Sequence, residues 1–508
     1  MKQTIVRLLL LALALCMVCG SMVACKEEPQ EKPVDEVETQ DPNDKYPYPD
    51  KIELDDDELN IFNFDYYYNA IIYTDVEDYS GDKIAEEVYD RNAYFADKYG
   101  IDVVEEKMAF THRTAAFQES TTKISTAHMG GNAIYDIAYV SLNEQYTLIA
   151  SGMLQNLSEV PTLNLNAEWW DPQLSSSYIL KDGACYVASS PLNLMPYELT
   201  WLTFFNRDMV TQRGLPDLFD YVRNGEWTIE NMLRLVLENG IINENSNGGY
   251  DFDASGTATY GIAVHSAGAP KLLTGFELNF IQDRDHDTVP YQFACNNAED
   301  FSKANEWLLR MFDRNSGMAI GSDFEDDLDG HPEGYVPVFQ SGRTLFLHAE
   351  LKSGMTMKKI LNSEINYGML PQPKLDTEQK NYYTTTGASV MLFGIPSINR
   401  KEIEAIGAAA DVLSYLSYRD VLPVYYDDYV SFRNVSDPDS LDMLNNYIMP
   451  GRRLEIGVAY GWTAEFTSDY ASLIYNMGAS SGGVTLANII STKTRNINSM
   501  IGNFFTGN

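Results

Sequence analysis

The chain is poor in several things, and each shortage narrows what it can be. It has six histidines in 508 residues, and none pairs with another at metal-ligand spacing. It has no H-E-x-x-H, no G-x-x-x-x-G-K-[ST] and no G-x-G-x-x-G, so zinc-protease, P-loop and dinucleotide chemistry find no anchor here. Ser120-Thr121-Thr122-Lys123 fits S-x-x-K, but no K-T-G or S-D-N element accompanies it. Basic residues are scarce: 36 Lys and Arg stand against 73 Asp and Glu, a net charge of −37. Such a surface cannot neutralise phosphates, which excludes nucleic acid as a partner and disfavours polyanionic ligands. Five cysteines are present, and Cys16 and Cys19 fall in an N-terminal apolar run. Cys25, Cys185 and Cys295 remain, too few for a disulfide framework. No apolar run is long enough to span a bilayer.

What is present begins with a targeting segment. Lys2 and Arg7 precede the apolar run Leu8 to Cys19, which breaks at Gly20-Ser21 and reaches Met22-Val23-Ala24-Cys25. A small residue before Cys resembles a bacterial lipobox. That resemblance implies cleavage after residue 24 and diacylation of the Cys25 thiol, a lipid anchor to the cell membrane. Residues 25–57 follow as an acidic, proline-containing linker.

Globular sequence starts at Glu58. Glu58 to Phe64 alternates apolar and polar residues, as a half-buried strand does. Gly81 to Tyr99 carries Ile84, Val88, Phe95 and Tyr99 at helical spacing and stops at Gly100. Ile101 to Val104 reads as the next strand, which makes a βαβ unit and predicts a parallel sheet. Tyr135 to Val140, Tyr260 to Val264 and the β-branched, aromatic run Leu199 to Phe205 read as further strands. Asn206 and Asp208 are read as turn or N-cap residues, Thr228 as a helix N-cap, and Gly214 before Pro216 as a helix stop. Trp227, at the start of a helix, reads as packing.

The order of these segments resembles the extracytoplasmic solute-binding proteins of ABC importers, the maltodextrin-binding type. The resemblance rests on Phe205-Asn206-Arg207-Asp208-Met209, Gly214-Leu215-Pro216 and Trp227-Thr228, where the family usually has Thr-Trp. It continues through Phe339-Gln340-Ser341-Gly342-Arg343, Tyr367-Gly368-Met369-Leu370-Pro371-Gln372-Pro373 and Gly387-Ala388-Ser389. It implies a two-lobed α/β fold of the type II periplasmic-binding-protein kind, with mixed sheets flanked by helices and a hinge of crossing strands. Lobe 1 is expected over 58–198 and 348–415, lobe 2 over 199–347 and 416–508. The strand after Gly342 is expected to cross back to the first lobe.

The same resemblance implies a carbohydrate ligand, permease subunits as partners, no cofactor and a monomer. Aromatic faces and polar edges in an interlobe cleft suit a sugar. Candidates lie where strands end: Tyr66 and Tyr67 after the first strand, Asn143 after the third, Glu198 and Trp201 at the crossover, and His348 and Glu350 on the returning strand. The segment Val458-Ala459-Tyr460-Gly461-Trp462 resembles the family's stacking-tryptophan segment, which implies Trp462 as a ligand contact. No catalytic or metal residue is assigned. Asp283-x-Asp285-x-Asp287 is read as a hairpin tip rather than a calcium loop, since the glycine and terminal glutamate of such a loop are missing. Cys185 and Cys295 could pair in an exported protein, but the family pattern places them in different lobes, which favours two buried free thiols. Two other readings stay open: a binding protein for a peptide or other non-sugar solute, and an extracellular polysaccharide-active enzyme.

Overall fold

The structure is a computed structural model. It describes residues 44–65, 82–109, 113–142, 144–239, 259–264, 268–286, 288–312, 335–355, 364–387, 390–399, 401–427, 438–476 and 485–506. The chain divides into two units, residues 1–48 and 49–508. Of the first, residues 44–48 are described. There Asp44 accepts from the Tyr46 amide and the Tyr48 hydroxyl, each at 3.0 Å. Cys25 and the signal segment lie outside the described residues, and no described helix is long and apolar enough to cross a membrane.

Among the described residues of the second unit there are ten strands: β1 (Glu58–Asp65), β2 (Asp102–Ala109), β3 (Ile137–Ser141), β4 (Trp201–Asn206), β5 (Tyr260–Val264), β6 (Ile281–Asp283), β7 (Tyr291–Phe293), β8 (Thr344–Glu350), β9 (Tyr367–Leu370) and β10 (Met391–Gly394). They form a sheet of order β10-β3-β1-β2, a second of order β5-β8-β4-β9, and the hairpin β6-β7. In the first sheet β1, β2 and β3 are parallel and β10 is antiparallel. In the second, β5 and β8 are parallel while β4 runs antiparallel to both β8 and β9.

Local chemistry sets the elements. The helix Lys83–Tyr99 starts at Asp82, whose carboxylate accepts from the amides of Ile84 and Ala85 at 3.0 and 3.3 Å. It ends on Gly100 at φ 70°, a left-handed cap that favours glycine. Asn206 accepts from the Met209 amide at 2.9 Å and Thr228 from the Asn231 amide at 3.2 Å, both as predicted. Trp227 is fully buried, and its Nε1 donates to the Pro371 carbonyl at 2.9 Å, so it is indeed packing. β1 departs from the half-buried expectation: Ile61, Phe62, Asn63 and Phe64 are all buried. It is an interior parallel strand, and such strands are covered on both faces.

Three segments link the sheets. The chain entering β4 and the chain entering β10 run antiparallel, bridged at Ala188–Phe393 and Thr200–Thr386. The Trp201 amide donates to the Thr385 carbonyl at 2.8 Å. The third segment joins beside them, with Thr384 donating to Gly451 and Arg453 to Thr384, each at 2.9 Å.

Two expectations about this path need correction. β8 does not cross back to the first lobe, because it is paired on one side with β5 and on the other with β4. β9 stays in the second sheet as well, and the return comes between Leu370 and Met391. A lobe boundary at 348 therefore falls inside β8. Nor does the second lobe resume at 416. Arg91, on the helix that follows β1, donates from Nη1 to Ser417 Oγ at 2.9 Å, so the turn after 416 still packs on the first lobe.

Candidate binding cleft at the hinge

The topology turns particular strand ends towards the hinge. β1, β2 and β3 end at Asp65, Ala109 and Ser141, and Met391 of β10 is in register with Ser141. In the second sheet the equivalent edge holds Trp201, Val264, Glu350 and Leu370, by the registers Trp201–Glu350, Val264–His348 and Thr203–Leu370. The crossing segments run between these two edges. The carboxyl ends of the parallel strands thus face the hinge, where open α/β sheets place their ligands.

Of the expected site residues, four gather at the second sheet's edge. Trp201 and Glu350 are cross-strand neighbours, and alternation puts Thr203 and His348 on the same face. The Trp201 and His348 rings are 5.2 Å apart, and Lys271 Nζ sits 5.9 Å from the Trp201 ring centre. The Glu350 carboxylate lies 3.7 Å from Lys352 Nζ, with the glutamate side chain 15% exposed. A Cβ on Gly387, in the crossing segment, would come within 2.9 Å of Glu350 Oε1. A larger residue there would make the Glu350 carboxylate shift. Glu198 is fully buried in the short helix Met195–Glu198, one step before the crossing chain becomes β4.

His348 has a different job from the one expected. It is buried beneath Trp201, with Nδ1 3.2 Å from Thr203 Oγ1 and Nε2 3.3 Å from Gln372 Nε2. Burial pushes its pKa down to about 3, so the ring is neutral and braces the Trp201 side of the sheet. It cannot meet a ligand because it is buried one residue pair inside the edge, with both ring nitrogens against Thr203 and Gln372.

Trp462 is also a core residue. It is 1% exposed and stacks on Tyr460 at 5.2 Å and 22°. Phe504 and Phe505 of the helix Leu486–Thr506 lie 5.3 and 6.1 Å away, and Tyr291 of β7 lies at 5.8 Å. No ring face is left for a sugar. Tyr66, Tyr67 and Asn143 lie outside the described residues.

Sequence reading missed the polar element that pins the hinge. Arg452 Nη2 donates to Asp171 Oδ1 at 2.8 Å, with both side chains at most 5% exposed. The guanidinium also stands 4.5 Å over the Tyr197 ring. Burial works against the arginine's charge, yet Asp171 and the neighbouring tyrosines outweigh it and hold the pKa above normal. Asp171 adopts φ 46°, a left-handed conformation rare outside glycine and compatible with aspartate. The pair is 281 residues apart in sequence, and only the folded hinge unites it.

The remaining motifs are accounted for locally. Asp283 ends β6 and lies 3.6 Å from Lys181, while Asp287 is outside the described residues. Among the described residues no three His, Cys, Asp or Glu cluster as a metal site. Cys185 and Cys295 are free; the first is buried and the second half-buried rather than buried. Burial pushes the Cys185 thiol up to about 12. A G-x-S-x-G spacing does occur at Gly478-Ala479-Ser480-Ser481-Gly482, outside the described residues. It lies between the helices Ala464–Asn476 and Leu486–Thr506, not after the strand that a nucleophile elbow requires.

No protein-family model matches the chain, and no curated protein sequence matches it. Solved structures do. An ABC transporter solute-binding protein from Thermotoga lettingae, bound with α-D-tagatose, aligns over 87% of this chain and 99% of its own at TM-score 0.52 and 14% identity. The galacto-N-biose/lacto-N-biose I-binding protein of a Bifidobacterium longum ABC transporter, in complex with lacto-N-biose, covers 88% and 97% at TM-score 0.54 and 11% identity. UgpB from Mycobacterium tuberculosis, in complex with glycerophosphocholine, covers 87% and 98% at TM-score 0.55 and 11% identity. The chain therefore has the two-lobed α/β fold of ABC-importer solute-binding proteins.

Proposed function

We propose that this protein is a lipid-anchored, extracytoplasmic solute-binding protein that captures a carbohydrate, an oligosaccharide, by hinge closure and delivers it to an ABC importer. The observation that carries the reading is the hinge itself: two sheets aim their ligand-binding edges at one another across three crossing segments. Contacts from both edges are complete only when the lobes close, so ligand shifts the equilibrium to the closed state. Trp201 borders the edge with an aromatic ring, and Glu350, the partly exposed carboxylate there, accepts from ligand hydroxyls, while the fully buried Glu198 supports the crossing chain behind it. The protein acts as a monomer and does no covalent chemistry on its ligand. Cys25 carries the lipid, and the acidic segment 25–57 is the tether. Two solved structures of the same fold hold sugars, which supports the sugar reading, and one holds a glycerophosphodiester.

The test is a thermal-shift screen of oligosaccharides beside glycerophosphodiesters and short peptides, since a ligand of the native state raises the melting temperature. A glycan is expected to do so and to be recovered intact by chromatography. A response confined to the other two classes rejects the sugar, and shortened glycan products indicate an enzyme. In cells, Cys25→Ser should release the protein from membranes or leave the precursor uncleaved. Unchanged fractionation removes the anchor.

A further inference from the structure

A second cavity lies between the lobes, lined by none of the residues at the Trp201–Glu350 edge. Its volume is about 580 Å3, within the range of small-molecule sites. Tyr418, Leu422 and Tyr426 form one wall, and Leu441, Leu444 and Asn445 the other.

The walls belong to opposite sheets. The first is fixed to the helix after β1 through Arg91 and Ser417. The second sits on β9, where Ser440 Oγ accepts from the Met369 amide at 3.2 Å, and is tied to Arg223 through Asp442 at 3.0 Å. The width of the cavity therefore depends on the angle between the lobes. Both walls also contain π-helical turns, Ser417–Val421 and Leu444–Ile448. Such turns are rare, weaken the backbone ladder and concentrate at functional sites. To find one in each facing wall of a cavity is an observation independent of the volume.

We propose that this cavity binds a single sugar ring, separately from the cleft edge, and that its occupancy favours one hinge angle. The proposal rests on the carbohydrate reading above. Tyr426, Leu422 and Leu441 offer ring and C–H surface to the apolar face of a pyranose. The Tyr418 hydroxyl already donates to Glu168 at 2.8 Å, which leaves its ring for the same use. The exposed Asn445 amide stands at the rim for hydroxyls. A ring held by both walls binds one separation better than others, and a ligand shifts a conformational equilibrium by that difference.

The test is calorimetric titration of the full protein with a panel of free hexoses, together with small-angle scattering. Leu441→Trp fills the cavity from a half-buried position, and Asn445→Ala removes the rim amide without touching the core. A hexose is expected to change the radius of gyration of the wild type. Its affinity should fall at least tenfold in Leu441→Trp and severalfold in Asn445→Ala, and persist in Glu350→Gln. If Leu441→Trp fails to fold, Asn445→Ala decides. Hexose or oligosaccharide binding that falls in Glu350→Gln and is unchanged in the two cavity variants overturns the cavity and leaves the cleft reading intact. Absence of binding by any sugar to any form overturns both.

Discussion

Trp201 and Trp462 are both nearly inaccessible, and in both the indole Nε1 is buried with no hydrogen-bond partner among the described residues. Their surroundings differ in kind. Trp201 begins the strand that follows a crossing segment, with a neutral histidine below it, a lysine over its ring and a carboxylate as cross-strand neighbour. Trp462 packs against four rings, drawn from β7, the turn at 460 and the last turn of the C-terminal helix. A side chain's burial is thus a poor guide to its role, while the polarity of what surrounds it is a better one. Mixed polar and aromatic neighbours at a sheet edge suit a ligand, and a packed cluster of rings suits a core.

The largest effect should come from Trp462→Ala. Removing a fully packed indole leaves a cavity and costs on the order of 3–5 kcal/mol. Urea denaturation of the variant should show that loss, while ligand affinity of the folded fraction is unchanged. Full stability with weakened binding would erase the distinction between the two tryptophans.

Local chemistry was legible in the sequence and long-range pairing was not. Asn206, Thr228, Gly100 and Gly214 could be placed because a cap is decided by residues within one turn, whereas Asp82 was not singled out. β8 was misread because Phe339-Gln340-Ser341-Gly342 specifies a helix end and a turn, and nothing in it says which sheet the next strand joins. Alternation puts His348 and Glu350 on one face of β8, and only the register with Thr203 and Trp201 shows that Glu350 lies at the end of the ladder and His348 one pair further in. Trp462 was misplaced because a stacking and a packing tryptophan are the same residue. Asp171 and Arg452 carry no local mark at all.

The second prediction tests the chain leading into the Trp462 cluster. Glu455 is buried, and burial raises its pKa to about 7, although the amides of Ile281 and Val458 donate to it at 2.8 and 3.1 Å. The folded state then holds a proton that the unfolded state, with a normal value of 4.5, gives up. Where the native state binds more protons, stability falls as pH rises, here between about 4.5 and 7. Asp136, raised by burial to about 6, acts in the same sense and remains in the variant. Glu455→Gln should therefore flatten, without abolishing, the loss of stability between pH 5 and 8. Denaturation midpoints at the two pH values check this, and equal slopes in both proteins reject it.

The smallest expected change in stability, and the sharpest test of the edge, is Glu350→Gln. Glu350 is partly exposed, and glutamine keeps its shape and its hydrogen-bonding capacity towards Lys352. The melting temperature should move little, because no cavity is made. A carboxylate that accepts a ligand hydroxyl is a charge-assisted acceptor, worth about 1.5–3 kcal/mol against a neutral one's roughly 1. The difference of about 0.5–2 kcal/mol predicts weakening by roughly two- to thirtyfold. Titration of a ligand found in the thermal screen measures it directly. The effect should be larger at low salt if the ligand is cationic and insensitive to salt if it is a neutral sugar, because only net charges are screened. An affinity equal to the wild type's would move Glu350 out of the cleft and into the hinge, where Gly387 already presses against it.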